Sequence, residues 1–200
     1  MVMLGMLIII SGPSGTGKGT IVKRLLENPD FELSVSRTTR PPRPGEIDGT
    51  HYHFTEKAEF ERLIAQNAFF EYAAYNDNFY GTPIENVERR LRLGKNVILE
   101  IDVQGALKIM DFYKKPYFSV FLAPPSAAEL KKRLSLRGDS PEEIERRAAI
   151  AVEELKAVPR YDYIVVNEDL DKAVADLESI TRAEALRTCR GPGIESKLLT

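Results

Sequence analysis

The chain has 200 residues, 43% of them hydrophobic and 29% charged, which is enough apolar material for one well-buried core with room for an insertion. Its 28 Lys and Arg against 30 Asp and Glu leave a net charge of −2, without the basic excess of a nucleic-acid binder, so any phosphate it handles is expected to be small. Cys189 is the single cysteine, which excludes an intramolecular disulfide and a thiolate metal cluster and fits a reducing, cytoplasmic setting.

The first element is the apolar run Met6–Ile10, read as a buried strand. The apolar start has no Lys or Arg ahead of it and no small-residue cleavage site, so a strand explains it better than a signal peptide. No apolar run reaches the ~18 residues that span a membrane, and no membrane partner is expected.

"SGPSGTGKGT" follows directly. From Gly12 to Gly19 it fits G-x-x-x-x-G-K between a strand and a helix over residues 18–26, the context a P-loop requires. Glycines let backbone N–H groups turn inward around a phosphate, and the helix N-terminus adds partial positive charge. Gly12, Pro13, Ser14, Gly15, Thr16, Gly17, Lys18, Gly19 and Thr20 are therefore candidates for holding a nucleotide's phosphates, with Lys18 reaching the terminal ones. Position 19 carries Gly where a hydroxyl normally touches Mg²⁺. Mg²⁺ is then expected to lean on nucleotide phosphates, water and an acid elsewhere, with no certain protein ligand. Thr20, one residue further on, is read as support for the first helical turn.

Between residues 36 and 92 the texture changes to a proline and arginine segment, the aromatic runs "HYHF" and "FFEYAAYNDNFYG", and a helix "EKAEFERLIAQ" between them. Core strands resume at Val97–Ile101, Tyr117–Leu122 and Tyr163–Val166, so residues 36–92 read as an inserted lobe of one domain. Ser126 and Ser140 open two capped helices over residues 126–159, and a last helix covers about residues 170–186 before the loose tail "GPGIESKLLT". Residues 1–35, 93–125 and 160–190 form the core of this division. Strands without alternation, separated by helices, indicate an α/β fold with a parallel sheet covered on both faces and ligands at the strands' carboxyl ends.

"SVSRTTRPPRPGEIDGTHYHF" places Arg37, Arg40 and Arg43 three apart in a proline-stiffened loop. This pattern reads as an SH3-binding P-x-x-P segment, as a solvated basic loop, or as a guanidinium clamp for a second phosphate. Two phosphate sites on one small protein suggest phosphoryl transfer between two nucleotides.

At this point the chain resembles the guanylate kinases. "SGPSGTGKGT", "SVSRTTRPPRPGEIDGTHYHF", "FFEYAAYNDNFYGTP", "VILEIDVQGA", "RLSLRG" and "DYIVVNEDLDKAVADL" stand in the family's order over nearly the whole chain. The resemblance implies a P-loop NTPase-type three-layer core, a mixed α+β GMP-binding lobe and a helical lid. It also implies transfer of the γ-phosphoryl of ATP to GMP and dGMP, with ATP and GMP as the partners and Mg²⁺ accompanying ATP. Arg40, Arg43, Tyr52 and Tyr80 would hold the GMP phosphate. Glu71 and Asp102, with Ser36 and Thr82, would read guanine, because carboxylates accept from N1–H and the 2-amino group and hydroxyls donate to O6. Lys18, Arg133, Arg137 and Arg147 would carry catalysis from the loop and lid, and Asn167 would contact adenine.

Other readings stand beside these. Tyr52 and Tyr80 lie in aromatic-rich runs where packing is a sufficient role, and Thr82 before Pro83 also reads as a helix cap. Glu100 and Asp102 are two apart on a strand and share a face, with Asp102 favoured for the site by its place at the carboxyl end. Lys131, Lys132 and Arg146 read as a solvated helix face, and Asn167 as a turn residue. The lid is shortened around Pro141 relative to the family form, which bears on the alignment of Arg147. A non-catalytic guanylate-kinase-like interaction module would lack a working P-loop, and a kinase acting on a ribose bisphosphate would not need Glu71 with Asp102.

Overall fold

The structure, a computed structural model, describes residues 5–75, 77–136 and 138–187. Arg137, Cys189 and the tail "GPGIESKLLT" lie outside the described residues. Along the chain the elements are β1 (Leu7–Ser11), α1 (Lys18–Leu25), β2 (Phe31–Leu33), β3 (Arg37–Thr38), β4 (His53–Phe54), α2 (Lys57–Ala65), β5 (Phe69–Tyr75) and β6 (Asn78–Pro83). They continue with α3 (Ile84–Arg92), β7 (Asn96–Glu100), α4 (Val103–Phe112), β8 (Tyr117–Ala123), α5 (Ala127–Leu136), α6 (Pro141–Leu155), β9 (Tyr163–Val166) and α7 (Leu170–Ala185).

Five strands make a parallel sheet in the order β2-β7-β1-β8-β9. Every residue of β1 is buried, because its two faces are covered by different helices. Ile8 and Ile10 pack with Ile21, Val22 and Leu25 of α1 and Leu177 of α7. Leu7 and Ile9 pack on the opposite face with Ala106 and Ile109 of α4. That two-sided burial is why the strand shows no alternation of apolar and polar residues. β1 sits between β7 and β8, so the chain winds away from it in both directions and a crevice opens beyond its carboxyl end.

A second sheet, in the order β4-β3-β6-β5, is built between residues 37 and 83. Its pairing is mixed: β3 runs parallel to β4 and antiparallel to β6, which is antiparallel to β5. Phe60 of α2, fully buried, stacks between Phe69 and Phe79 of this sheet at 4.4 and 5.4 Å. The aromatic runs thus supply this sheet with a small core of its own.

The serine caps form as the sequence indicates: Ser126 Oγ accepts from the Glu129 N–H and Ser140 Oγ from the Glu143 N–H. Thr82 does not cap α3. Pro83 occupies the N-cap position, and the Thr82 hydroxyl is engaged by Glu71 instead. Asp102 caps α4, its Oδ1 accepting from the Gly105 N–H at 2.6 Å. It therefore stands two residues beyond the end of β7 and not on the strand.

Candidate active site

Residues 12–17 form the loop that carries β1 into α1. Gly12, Gly15 and Gly17 adopt φ of 146°, 92° and 91°. At Gly12 a Cβ would lie 2.2 Å from the Leu122 carbonyl oxygen, so no other residue fits without moving β8. Gly17 is the N-cap of α1 and supplies no side chain, which leaves that helix's first N–H groups directed at the crevice. Lys18 folds over its own loop, donating to the carbonyls of Gly12 at 2.5 Å and Pro13 at 3.0 Å. Its ammonium is thus held at the mouth of a cavity of about 360 Å³ that the loop shares with Glu100, Asp102 and Glu154.

Those carboxylates define the floor. A Cβ on Gly19 would come within 3.6 Å of Glu100 Oε1, so the missing hydroxyl at position 19 is matched by a carboxylate beside it. Burial raises the pKa of Glu100 and the charge of Lys18 opposes the rise. Glu154 of α6, which sequence reasoning missed, behaves alike: burial raises it and Lys18 lowers it. Thr20 is exposed and its hydroxyl makes no hydrogen bond among the described residues, so the expected support for the first turn is not found. A larger concavity of about 520 Å³ around Met6, Asn96 and Ala185 lies at the amino ends of the strands, away from the loop.

Two helices close over the loop. From α5, Arg133 donates to Glu129 Oε1 at 3.0 Å and to the carbonyls of Asn167 at 2.9 Å and Thr16 at 3.5 Å. From α6, Arg147 donates to Ser14 Oγ at 2.9 Å and to Glu143 Oε1 at 2.7 Å. Its alignment past Pro141 is therefore toward the loop. Arg146 and Arg147 together hold the Glu143 carboxyl down at about 2. Lys131 pairs with Glu145 and Arg146 with Glu143 on the exposed side, where such pairs contribute little. Asn167 is only 7% exposed, and its amide donates to the Thr16 carbonyl at 2.8 Å. The residue expected against adenine here braces the loop from below.

On the second sheet, Arg40 makes a two-point pair with Glu46, Nη1 to Oε2 and Nη2 to Oε1, both at 2.8 Å. The Arg40 guanidinium carbon stands 5.6 Å from the Tyr52 ring centroid, and the Tyr52 and Tyr80 rings meet edge-on at 6.0 Å. Glu46 first, and Tyr80 after it, favour the charged form of Arg40. Arg43 is exposed beside this group and is joined to it by its backbone N–H, which donates to Glu46 Oε2 at 2.7 Å. Arg37 is not part of the cluster. It neighbours His53, whose pKa is lowered by burial and then by Arg37 itself.

Deeper in the crevice, Thr82 donates to Glu71 Oε1 at 2.8 Å and exchanges a 3.3 Å contact with Ser36 Oγ. Burial raises the Glu71 pKa above the usual carboxylate range, the Thr82 hydrogen bond opposes the rise, and the Asp102 charge adds to it. At Gly105 a Cβ would come within 3.2 Å of Asp102 Oδ1 and 3.8 Å of Glu71 Cγ. The bare α-carbon there lets both carboxylates share one wall. Asp102 lines the loop cavity, and its charge reaches Glu71 on the second sheet.

The family model for guanylate kinase matches residues 5–184. The chain belongs to the guanylate kinase family. A guanylate kinase of Caldanaerobacter subterraneus subsp. tengcongensis is 47% identical over 196 residues, covering 97% of this chain and 95% of the relative. Another, from Clostridium perfringens, is 50% identical over 188 residues, covering 93% and 87%. Among solved structures, the guanylate kinase of Anaplasma phagocytophilum superposes with a TM-score of 0.73 at 34% identity, covering 97% of this chain and 93% of that one. As a guanylate kinase relative, the chain keeps its glycine loop and lysine intact, the feature a non-catalytic interaction module would lack. Among the described residues no helix is long and apolar enough to cross a membrane.

Proposed function

We propose that this chain transfers the γ-phosphoryl group of ATP to GMP, giving ADP and GDP, and accepts dGMP as well. What supports the reading is the combination of a glycine loop whose cavity includes Lys18, Glu100 and Asp102, an arginine held beside two phenols on the inserted sheet, and Glu71 bound by Thr82 close to the Asp102 end of that cavity.

In this reading residues 12–20 cradle the ATP phosphates, and Lys18 exchanges its loop carbonyls for terminal phosphate oxygens. Arg133, Arg137 and Arg147 surround the migrating group from a lid over residues 126–159. Arg40, Arg43, Tyr52 and Tyr80 take the GMP phosphate on a lobe over residues 36–92. Glu71 and Asp102 accept from guanine while Ser36 and Thr82 supply hydroxyls. Asn167 acts first by holding Thr16, and through it the loop that surrounds the donor.

Phosphoryl transfer needs alignment and positive charge more than covalent help, and these residues supply both. Mg²⁺ fits as a companion of ATP. The described residues hold no cluster of three ligating side chains, but Glu100 stands beside Gly19 where waters of a phosphate-bound ion would find an acceptor. When bound, the ion neutralises charge on the donor phosphates. The reading places the protein in the cytoplasm, where both nucleotides are available.

Phosphorus NMR of ATP mixed with GMP and the purified chain tests this directly. Matched growth of ADP and GDP signals is expected; ADP with inorganic phosphate and no GDP would make the chain a hydrolase and defeat the reading.

A further inference from the structure

The acceptor clamp has a component that neither residue pattern nor family comparison assigned. We propose that Glu46 is the positioning residue of the phosphate clamp, holding the Arg40 guanidinium, and the main chain at Arg43, in the geometry that a monophosphate requires. The inference rests on the reading of Arg40 and Arg43 as the GMP phosphate site.

The geometry is specific at the level of single donors. A guanidinium has five N–H groups. In Arg40 both Nη1 hydrogens are committed, one to Glu46 Oε2 at 2.8 Å and one to the Pro41 carbonyl at 2.6 Å, and one Nη2 hydrogen goes to Glu46 Oε1 at 2.8 Å. The remaining Nε–H and second Nη2–H lie parallel on one edge, the arrangement that meets two oxygens of a phosphate side by side. Glu46 thus selects which edge of Arg40 faces the ligand. Its Oε2 also accepts from the Arg43 backbone N–H at 2.7 Å, so one carboxylate fixes the Arg40 guanidinium and ties down the main chain at Arg43.

The pair is sheltered. The side chains of Arg40 and Glu46 are only 13% and 18% exposed, against 46% and 62% for an ordinary surface pair such as Arg24 with Glu27. A guanidinium with rotamer freedom would lose it on binding a phosphate; one already fixed does not. The same contacts hold the Glu46 carboxyl at about 2, so it remains charged wherever the enzyme operates. The opposing view is that Glu46 is a competitor, a carboxylate that occupies Arg40 until phosphate displaces it. The two differ in sign: removing a competitor tightens GMP, removing a positioner weakens it.

Calorimetric titration of the full chain with GMP and with guanosine separates them, using wild type, Glu46→Gln and Glu46→Asp. Loss of positioning is expected to weaken GMP by about tenfold or more in Glu46→Gln, the worth of one charge-assisted hydrogen bond. Guanosine affinity should stay within about twofold, since that ligand has no phosphate to place. Glu46→Asp should recover part of the loss, and the change in kinase assays should fall on KM for GMP with KM for ATP unaffected. Unchanged or tighter GMP binding in Glu46→Gln overturns the proposal, and so does an equal weakening of GMP and guanosine, which would mark a general structural role. If wild type itself fails to bind GMP, the functional reading has failed and not this inference alone.

Discussion

Replacing Glu71 by Gln tests guanine recognition where the structure is most explicit. Thr82 donates to Oε1 at 2.8 Å, so in the variant the amide carbonyl is expected to keep that bond and turn its NH₂ to where Oε2 stood. A donor would then face the N1–H and 2-amino donors of guanine. At least one charge-assisted hydrogen bond is lost, about 1.5–3 kcal/mol, which corresponds to roughly 10- to 150-fold in KM for GMP. AMP, whose N1 accepts, should lose nothing by this change, so the gap between the two nucleotides narrows. Wild type should also show KM for GMP rising as pH falls through the raised pKa of Glu71, since only the carboxylate accepts from guanine; the variant should lack that acidic limb. A carboxyl whose folded pKa is raised costs stability above its unfolded pKa, so the neutral amide should leave the melting temperature at neutral pH equal or higher. Coupled kinase assays across pH, with calorimetry for stability, measure all of this. A Glu71→Gln enzyme whose KM for GMP stays within threefold of wild type would refute the reasoning.

Further outcomes follow from the same geometry. Lys18→Ala should lower kcat by about a hundredfold or more, as expected for removal of preorganised charge from the transition state, with the fold intact by circular dichroism; near-full turnover would remove Lys18 from the mechanism. Arg40→Ala should raise KM for GMP by at least about tenfold with KM for ATP unchanged, measured in two-substrate kinetics. Gly12→Ala forces a Cβ to 2.2 Å from the Leu122 carbonyl and should lower both the melting temperature and ATP affinity; a variant as stable as wild type would show that β8 yields at no cost. Leu99→Ala, at a fully buried position of the central sheet, should destabilise by about 2–5 kcal/mol in denaturant titration while leaving KM for both substrates within twofold.

The core was largely legible because its signals are local. Two-sided burial makes β1, β7 and β8 read as unbroken apolar runs, and the glycine loop joins strand to helix in one short segment. β2, a three-residue edge strand, leaves no run long enough to detect. The short strands of the second sheet are likewise hidden inside aromatic runs whose spacing serves both packing and binding. The helix α4 was missed as an element, although its cap, Asp102, was recognised as a site residue.

Among the site residues, types and order were readable while partners were not. Nothing in the spacing of Arg40 and Glu46 indicates a two-point pair, and Glu154 meets Lys18 only because α6 folds back over the loop. Asn167 illustrates the limit most clearly. A strand-ending Asn resembles an adenine contact, but only the folded chain shows its amide under Thr16.

The central claim is that one crevice joins an ATP loop to a guanine-reading acceptor site. The ratio of kcat/KM for GMP to that for AMP, with ATP and Mg²⁺ saturating, tests it most directly. A site that hydrogen-bonds its substrate in this way predicts a ratio of about 10⁴ or more; a ratio near one, or turnover with neither nucleotide, would contradict the account.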